Sequence, residues 1–251
     1  MKKRNFIDIA RDFGAGPIQT YDPSYDQYPL YAFKMATGSG KTYVMALSIV
    51  WQYFNYKYEN KDDYTSKYLL IAGEKNVIYD RLTRDFKDGK IFQKLPVIPP
   101  EWAEEFDLKV ILKDDPIHLI PESVLFLTNI QQLEERHNKK KEFEEYVDKI
   151  MELPEVYNVE DIYQENRIKE VLTTCPNIMI LKDEAHHIYD FEKAWKKILL
   201  QLHKNLVSQY NKGINTELDF SATPKTEGGA LFPWIIVDFS LKEAIEMNIV
   251  K

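Results

Sequence analysis

The chain has 251 residues, is 44% hydrophobic and 29% charged, and carries a formal net charge of −7 with one cysteine, Cys175. That length supports one large domain or two small ones, and the composition excludes a disordered chain. A lone cysteine excludes an intrachain disulfide, no apolar run reaches the roughly 18 residues of a membrane helix, and the opening MKKRNFIDIARDFG lacks the apolar core and cleavage site of a signal peptide, which together point to the cytoplasm.

In chain order, residues 1–29 form an N-terminal extension before the first apolar run. Runs of strand length then follow at Leu30–Ala36, Lys67–Ala72, Leu108–Leu112, Ser123–Thr128, Asn177–Leu181, Glu217–Ser221 and Trp234–Phe239. Most are unbroken, as in YLLIA, VLFLT and IMIL, the pattern of strands buried on both faces of a parallel sheet. Between the first two runs, TYVMALSIVWQYFNYKY carries a broad helical stripe of apolar residues. The alternation predicts a doubly wound α/β domain over residues 30–251. Two segments interrupt it. FQKLPVIPPEWAEEFD, with its prolines at 96, 99 and 100, reads as a surface excursion. Residues 134–170 are charge-rich, with a helical period broken at Pro154; they read as a solvated helical insertion, or as an arm that contacts a partner or DNA.

Three motifs carry chemistry. The stretch KMATGSGKT, Lys34–Thr42, matches a phosphate-binding loop except that Met35 stands where the pattern G-x-x-x-x-G-K-[ST] has its first glycine. Gly38 and Gly40 allow a tight turn that aims backbone N–H groups at an anion at a helix N-terminus. Thr37, Gly38, Ser39, Gly40, Lys41 and Thr42 are the candidate nucleotide-binding set, with Lys41 reaching the β and γ phosphates and the Thr42 hydroxyl ligating Mg²⁺. In NIMILKDEAHHIYDF, Asp183 and Glu184 close a buried strand. Asp183 suits a metal carboxylate and Glu184 a group that orients the attacking water. In ELDFSATPK, Ser221 and Thr223 end a further strand; by itself this is also a plain strand end running into a turn at Pro224.

The order of these motifs resembles the first RecA-like domain of superfamily 2 helicases of the DEAD/DEAH type, whose phosphate loops commonly lack that first glycine. KMATGSGKT, DEAHH, FSATP and the later FSLKEAIEMNIVK are most similar to the Res subunit of type III restriction enzymes. The resemblance implies a three-layer RecA-like P-loop NTPase domain with a mostly parallel central sheet, using ATP and Mg²⁺ to drive movement on duplex DNA within a restriction-modification system. It implies Lys41, Asp183, Glu184 and His186 as catalytic, with His186 coupling the site to Ser221 and Thr223. Nucleic-acid contacts are expected from the Gly73–Lys75 region and from Thr128 and Asn129, although the latter pair also reads as a strand-to-helix cap. Implied partners are DNA, a second RecA-like domain that supplies arginine fingers, and a modification methyltransferase subunit. The alternatives are an RNA helicase, a type I restriction motor, or a non-catalytic interaction module.

Several features depart from the family pattern. Lys182 immediately precedes the acidic pair, where it could compete with Mg²⁺ or point away on the other strand face. No upstream adenine-recognising motif matches; the Gln27 region, with Tyr21, Tyr25 or Tyr28 to stack on the base, is where one would lie. The acidic net charge argues against strong DNA binding by this domain alone. With no second set of motifs and no nuclease signature before Lys251, the chain reads as one domain of a larger enzyme.

Overall fold

In the computed structural model the described residues are 27–59, 61–73, 76–129, 167–185, 192–224, 232 and 234–250. The seven apolar runs become seven strands of a single sheet. In chain order the elements are β1 (Leu30–Met35), α1 (Lys41–Tyr58), β2 (Lys67–Ala72), α2 (Asn76–Phe86), α3 (Lys90–Lys94), β3 (Lys109–Leu112), β4 (Val124–Asn129), α4 (Arg167–Leu172), β5 (Ile178–Asp183), α5 (Glu192–Tyr210), β6 (Ile214–Ser221), β7 (Ile235–Phe239) and α6 (Leu241–Glu246). The strand order is β3-β4-β2-β5-β6-β1-β7, and every pairing is parallel.

Helices cover both faces. On one side α1, α2 and α3 bring Met45, Ile49, Leu82 and Phe86 against Leu70, Leu181 and Phe220. On the other, α4 and α5 bring Leu172, Leu199 and Leu206 against Leu69, Ile71, Phe126 and Ile180. Every residue of β4 and β5 is buried, which is why these strands read as unbroken apolar runs. β5 runs two residues beyond the apolar run. Lys182 and Asp183 are polar but continue the ladder opposite Asp219 and Phe220.

The proline-rich segment is more than a surface excursion. Ile91, Phe92 and Val97 are buried, and Phe106 packs between Tyr53 and Phe92 at ring-centroid distances of 4.7 and 5.0 Å. The Tyr53 hydroxyl fastens it, donating to the Glu105 carbonyl at 2.8 Å and accepting the Asp107 N–H at 2.9 Å. The charged insertion expected at 134–170 lies outside the described residues up to position 166, and the extension at 1–29 up to position 26; Arg167–Leu172, where the insertion meets the sheet, is helical.

Alternation along β5 sends Lys182 and Asp183 to opposite faces. Asp183 shares the α1–α2 side with Leu181. Lys182 lies on the α4–α5 side, ion-paired with Glu217 and, at 3.0 Å, with Asp219, both from β6. All three are buried. Burial pushes the Lys182 pKa down, but Asp219 and Glu217 outweigh it and the ammonium stays charged. Removing one member strands the others in a low-dielectric interior. Lys182→Ala should therefore lower the unfolding free energy in urea by about 3–5 kcal/mol. The combined change Lys182→Met, Glu217→Gln and Asp219→Asn should recover most of that loss. A cost for the single variant below about 1 kcal/mol, the range of a solvated pair, would contradict a dry ion cluster.

At the opposite end of the sheet His203 of α5 leans over the start of β6. Its Nδ1 accepts the Ile214 N–H at 3.0 Å, and the Tyr28 ring lies 5.0 Å from it. A Cβ at Gly213 would fall 2.3 Å from that Nδ1, so the close approach requires glycine. Burial holds the His203 pKa below its ordinary value of 6.5. Because protonation at Nδ1 would also end the hydrogen bond, the folded state favours the neutral ring. Its contribution is present above the ordinary histidine pKa and is lost as pH falls below it towards the depressed folded value. The wild-type melting temperature should drop more steeply between about pH 7 and pH 5 than that of His203→Asn, whose amide oxygen can still accept the Ile214 N–H.

Candidate functional site

Because all seven strands run the same way, the ends of β1, β2, β5 and β6 meet at one rim, where open α/β sheets hold their ligands. β1 stops at Met35, whose side chain is buried beneath α1 and whose ladder partner is Phe239 of β7. The residue in the first-glycine position is thus still strand and needs no special conformation. The turn comes later. The Ser39 N–H and hydroxyl both donate to the Ala36 carbonyl, at 3.1 and 2.7 Å. Gly38 and Gly40 take φ of 80° and 96°, in the left-handed region open to glycine. Helix α1 begins at Lys41 with no side-chain cap and no acidic residue in its first turn. Its leading N–H groups therefore have no side chain competing for them, as an anion site requires.

Lys41 is buried, and its Nζ lies 2.7 Å from Oε1 of Glu184, beyond the end of β5. Glu184 has φ of 51°, a left-handed conformation that costs a non-glycine residue about 1–3 kcal/mol. Its backbone N–H donates to Oδ1 of Asp183 at 3.0 Å. Asp183 is wholly buried, and its Oδ2 is ion-paired with Nη2 of Arg81 from α2. Burial raises the Asp183 carboxyl pKa above its ordinary value; Arg81 and Lys41 offset only part of that rise, and Glu184 adds to it. Two cations thus face two carboxylates at one rim, Lys41 on Glu184 and Arg81 on Asp183.

The other candidates fall around this centre. Thr42 is the second residue of α1. Gly73, just after β2, fits closely against the acidic turn: a Cβ there would lie 3.4 Å from the Asp183 carbonyl and 3.5 Å from Glu184 Cβ. Ser221 closes β6, buried, with its hydroxyl accepting the Thr223 N–H at 3.1 Å; Thr223 is exposed. Thr128 and Asn129 are the last two residues of β4, and both are buried; the residues that a strand-to-helix cap would serve lie outside the described ones. His186 and Lys75 lie outside the described residues, as do Tyr21 and Tyr25. Tyr28 is buried against His203 at the far end of β1 from the phosphate loop, which removes it as a base-stacking group. Lys182 is held on the other face by its two carboxylates and does not compete at Asp183.

The donor set suits a hard divalent cation. The Thr42 hydroxyl and the Asp183 carboxylate are oxygen donors of the kind such an ion takes. Among the described residues no three His, Cys, Asp or Glu side chains cluster as a metal cage. Arg81 is the residue that sequence reasoning missed. Tyr79, Leu82 and Phe86 define the buried stripe of α2, and Arg81 flanks it. Its partner lies 102 residues away, so spacing alone could not reveal the pair.

No curated protein matches the chain. The family model of the type III restriction enzyme res subunit matches residues 18–226, spanning the phosphate loop, the acidic turn and the end of β6. The chain belongs to that family and is a RecA-like P-loop NTPase domain of the helicase superfamily.

Proposed function

We propose that this domain binds ATP with Mg²⁺ and couples its hydrolysis to movement on duplex DNA, as the motor of a restriction-modification system. The observation that carries the reading is the 2.7 Å contact between Lys41 and Glu184 beside the buried Asp183. A phosphate-binding cation, a water-orienting carboxylate and a metal carboxylate meet there at the N-terminus of one helix. An incoming triphosphate draws Lys41 off Glu184 and onto its β and γ oxygens. Glu184, freed of its counter-ion, is then able to polarise the attacking water. Thr42 and Asp183 would hold Mg²⁺, which supplies charge neutralisation across the β and γ phosphates. Developing charge on the γ-phosphoryl group also calls for arginine fingers, the contribution we assign to a second RecA-like domain.

His186, Ser221 and Thr223 are proposed to report the state of the acidic turn to neighbouring elements. Gly73 and Lys75, backed by the buried end of β4 at Thr128 and Asn129, are the proposed nucleic-acid side of the domain. Its net charge of −7 suits weak DNA affinity that the rest of a motor would reinforce, and a modification subunit would supply the restriction context. No described helix is long and apolar enough to cross a membrane, and we place the protein in the cytoplasm. A degenerate-site reading loses its main support with Lys182 turned away from Asp183.

Equilibrium ATP binding and single-turnover hydrolysis by the chain, with duplex DNA or RNA added, test the proposal. Lys41→Ala should lose nucleotide binding. Glu184→Gln should keep it and slow hydrolysis by about 10²–10⁴-fold, the usual contribution of a positioned base. Stimulation by duplex DNA over RNA is expected; the reverse preference would overturn the DNA assignment. Nucleotide binding unchanged by Lys41→Ala would overturn the motor reading itself.

A further inference from the structure

Both oxygens of the Asp183 carboxylate are engaged from within the protein. Oδ1 accepts the Glu184 N–H at 3.0 Å, and Oδ2 is ion-paired with the Arg81 guanidinium. The two partners differ in kind. The first is backbone of the same turn. The second is a side chain on α2, 42% exposed although its carboxylate is wholly buried. A guanidinium and a divalent cation on the same carboxylate oxygen repel each other, and the ion with the larger charge and shorter ligand distance wins. Arg81 can yield without disturbing the fold, because its outer side already reaches water and α2 is anchored separately by Tyr79, Leu82 and Phe86.

We infer that Arg81 is a positioning residue for the metal carboxylate: a built-in counter-ion that holds Asp183 in place until the divalent ion arrives and is then displaced. This rests on the nucleotide-binding reading above. It explains how a wholly buried carboxylate has both of its oxygens held in one orientation before the ion arrives. It also assigns a cost to metal loading, since the ion must displace an existing pair. That cost links the metal to α2 and to the loop at Gly73, whose backbone packs against the same turn.

The test uses Mn²⁺ as a paramagnetic substitute for Mg²⁺, titrated into the 251-residue chain with saturating ADP and followed by electron paramagnetic resonance. Arg81→Ala and Arg81→Gln should each tighten Mn²⁺ binding by about fivefold, the upper range for a partly solvated pair. Arg81→Lys, which keeps the charge, should stay near wild type. ADP affinity in EDTA should be the same in all four proteins, which a merely structural defect would not allow. Mn²⁺ binding that is unchanged or weakened in the two neutral variants overturns the inference. A second measurement needs no substitution: the NMR signal of the Arg81 guanidinium, slowed in rotation by Asp183, should become freely rotating when Mg²⁺ and ADP are added together. No change there also overturns it. Asp183→Asn separates the two levels. If it abolishes Mn²⁺ binding while the Arg81 variants do nothing, only the counter-ion role falls. If wild type binds neither ADP nor Mn²⁺, the nucleotide reading falls and takes the counter-ion role with it.

Discussion

Everything at the rim follows from one constraint, the shared direction of the strands. A parallel sheet places all of its carboxyl ends on the same edge, so β1 and β5 deliver their terminal loops to a common space although they lie far apart in sequence. Strand order then sets the spacing. β6 stands between β1 and β5, which separates the two loops by two strand widths, about 9.5 Å. The gap is crossed by a long lysine side chain from one side and a glutamate from the other, and they meet at 2.7 Å. The strand between them, β6, ends in the small residue Ser221.

Charge balance is the second theme. Each rim carboxylate has a cation of the protein's own, Lys41 on Glu184 and Arg81 on Asp183. Each cation comes from a helix that follows directly from a rim loop, Lys41 from α1 and Arg81 from α2. On the reading proposed above, ligand entry is an exchange of partners rather than the filling of a bare charged cleft. The left-handed turn at Glu184 fits the same picture, since a conformation of higher energy is retained where it holds a functional group in place.

Much of this was legible in the sequence for reasons that can be named. Strands buried on two faces leave unbroken apolar runs, and all seven were visible. The tip of β5 was not, because Lys182 and Asp183 end the apolar run while the hydrogen-bond ladder continues through them. The phosphate loop and the acidic pair were readable because their chemistry demands particular residue types at fixed spacing, and their order added specificity. Met35 in place of the first glycine matched phosphate loops that commonly lack it, and at the end of β1 its side chain lies in the core. Arg81 was hidden, since an arginine beside the buried stripe of a helix looks like any solvated cation. Strand alternation allowed Lys182 to face away from Asp183, but only the register of β5 on β6 names Glu217 and Asp219 as its partners.

That register has a historical consequence. Lys182, Glu217 and Asp219 sit side by side on adjacent strands and all three are buried, so no one of them can drift alone without leaving a charge unpaired in the interior. A lineage can change the set only through an unfavourable intermediate or by several substitutions close together. The three positions should be inherited as a block, with an apolar residue before the acidic turn accompanied by uncharged residues on β6. Relatives could then be sorted into two groups by the residues buried on this side of the sheet, independently of those at the rim.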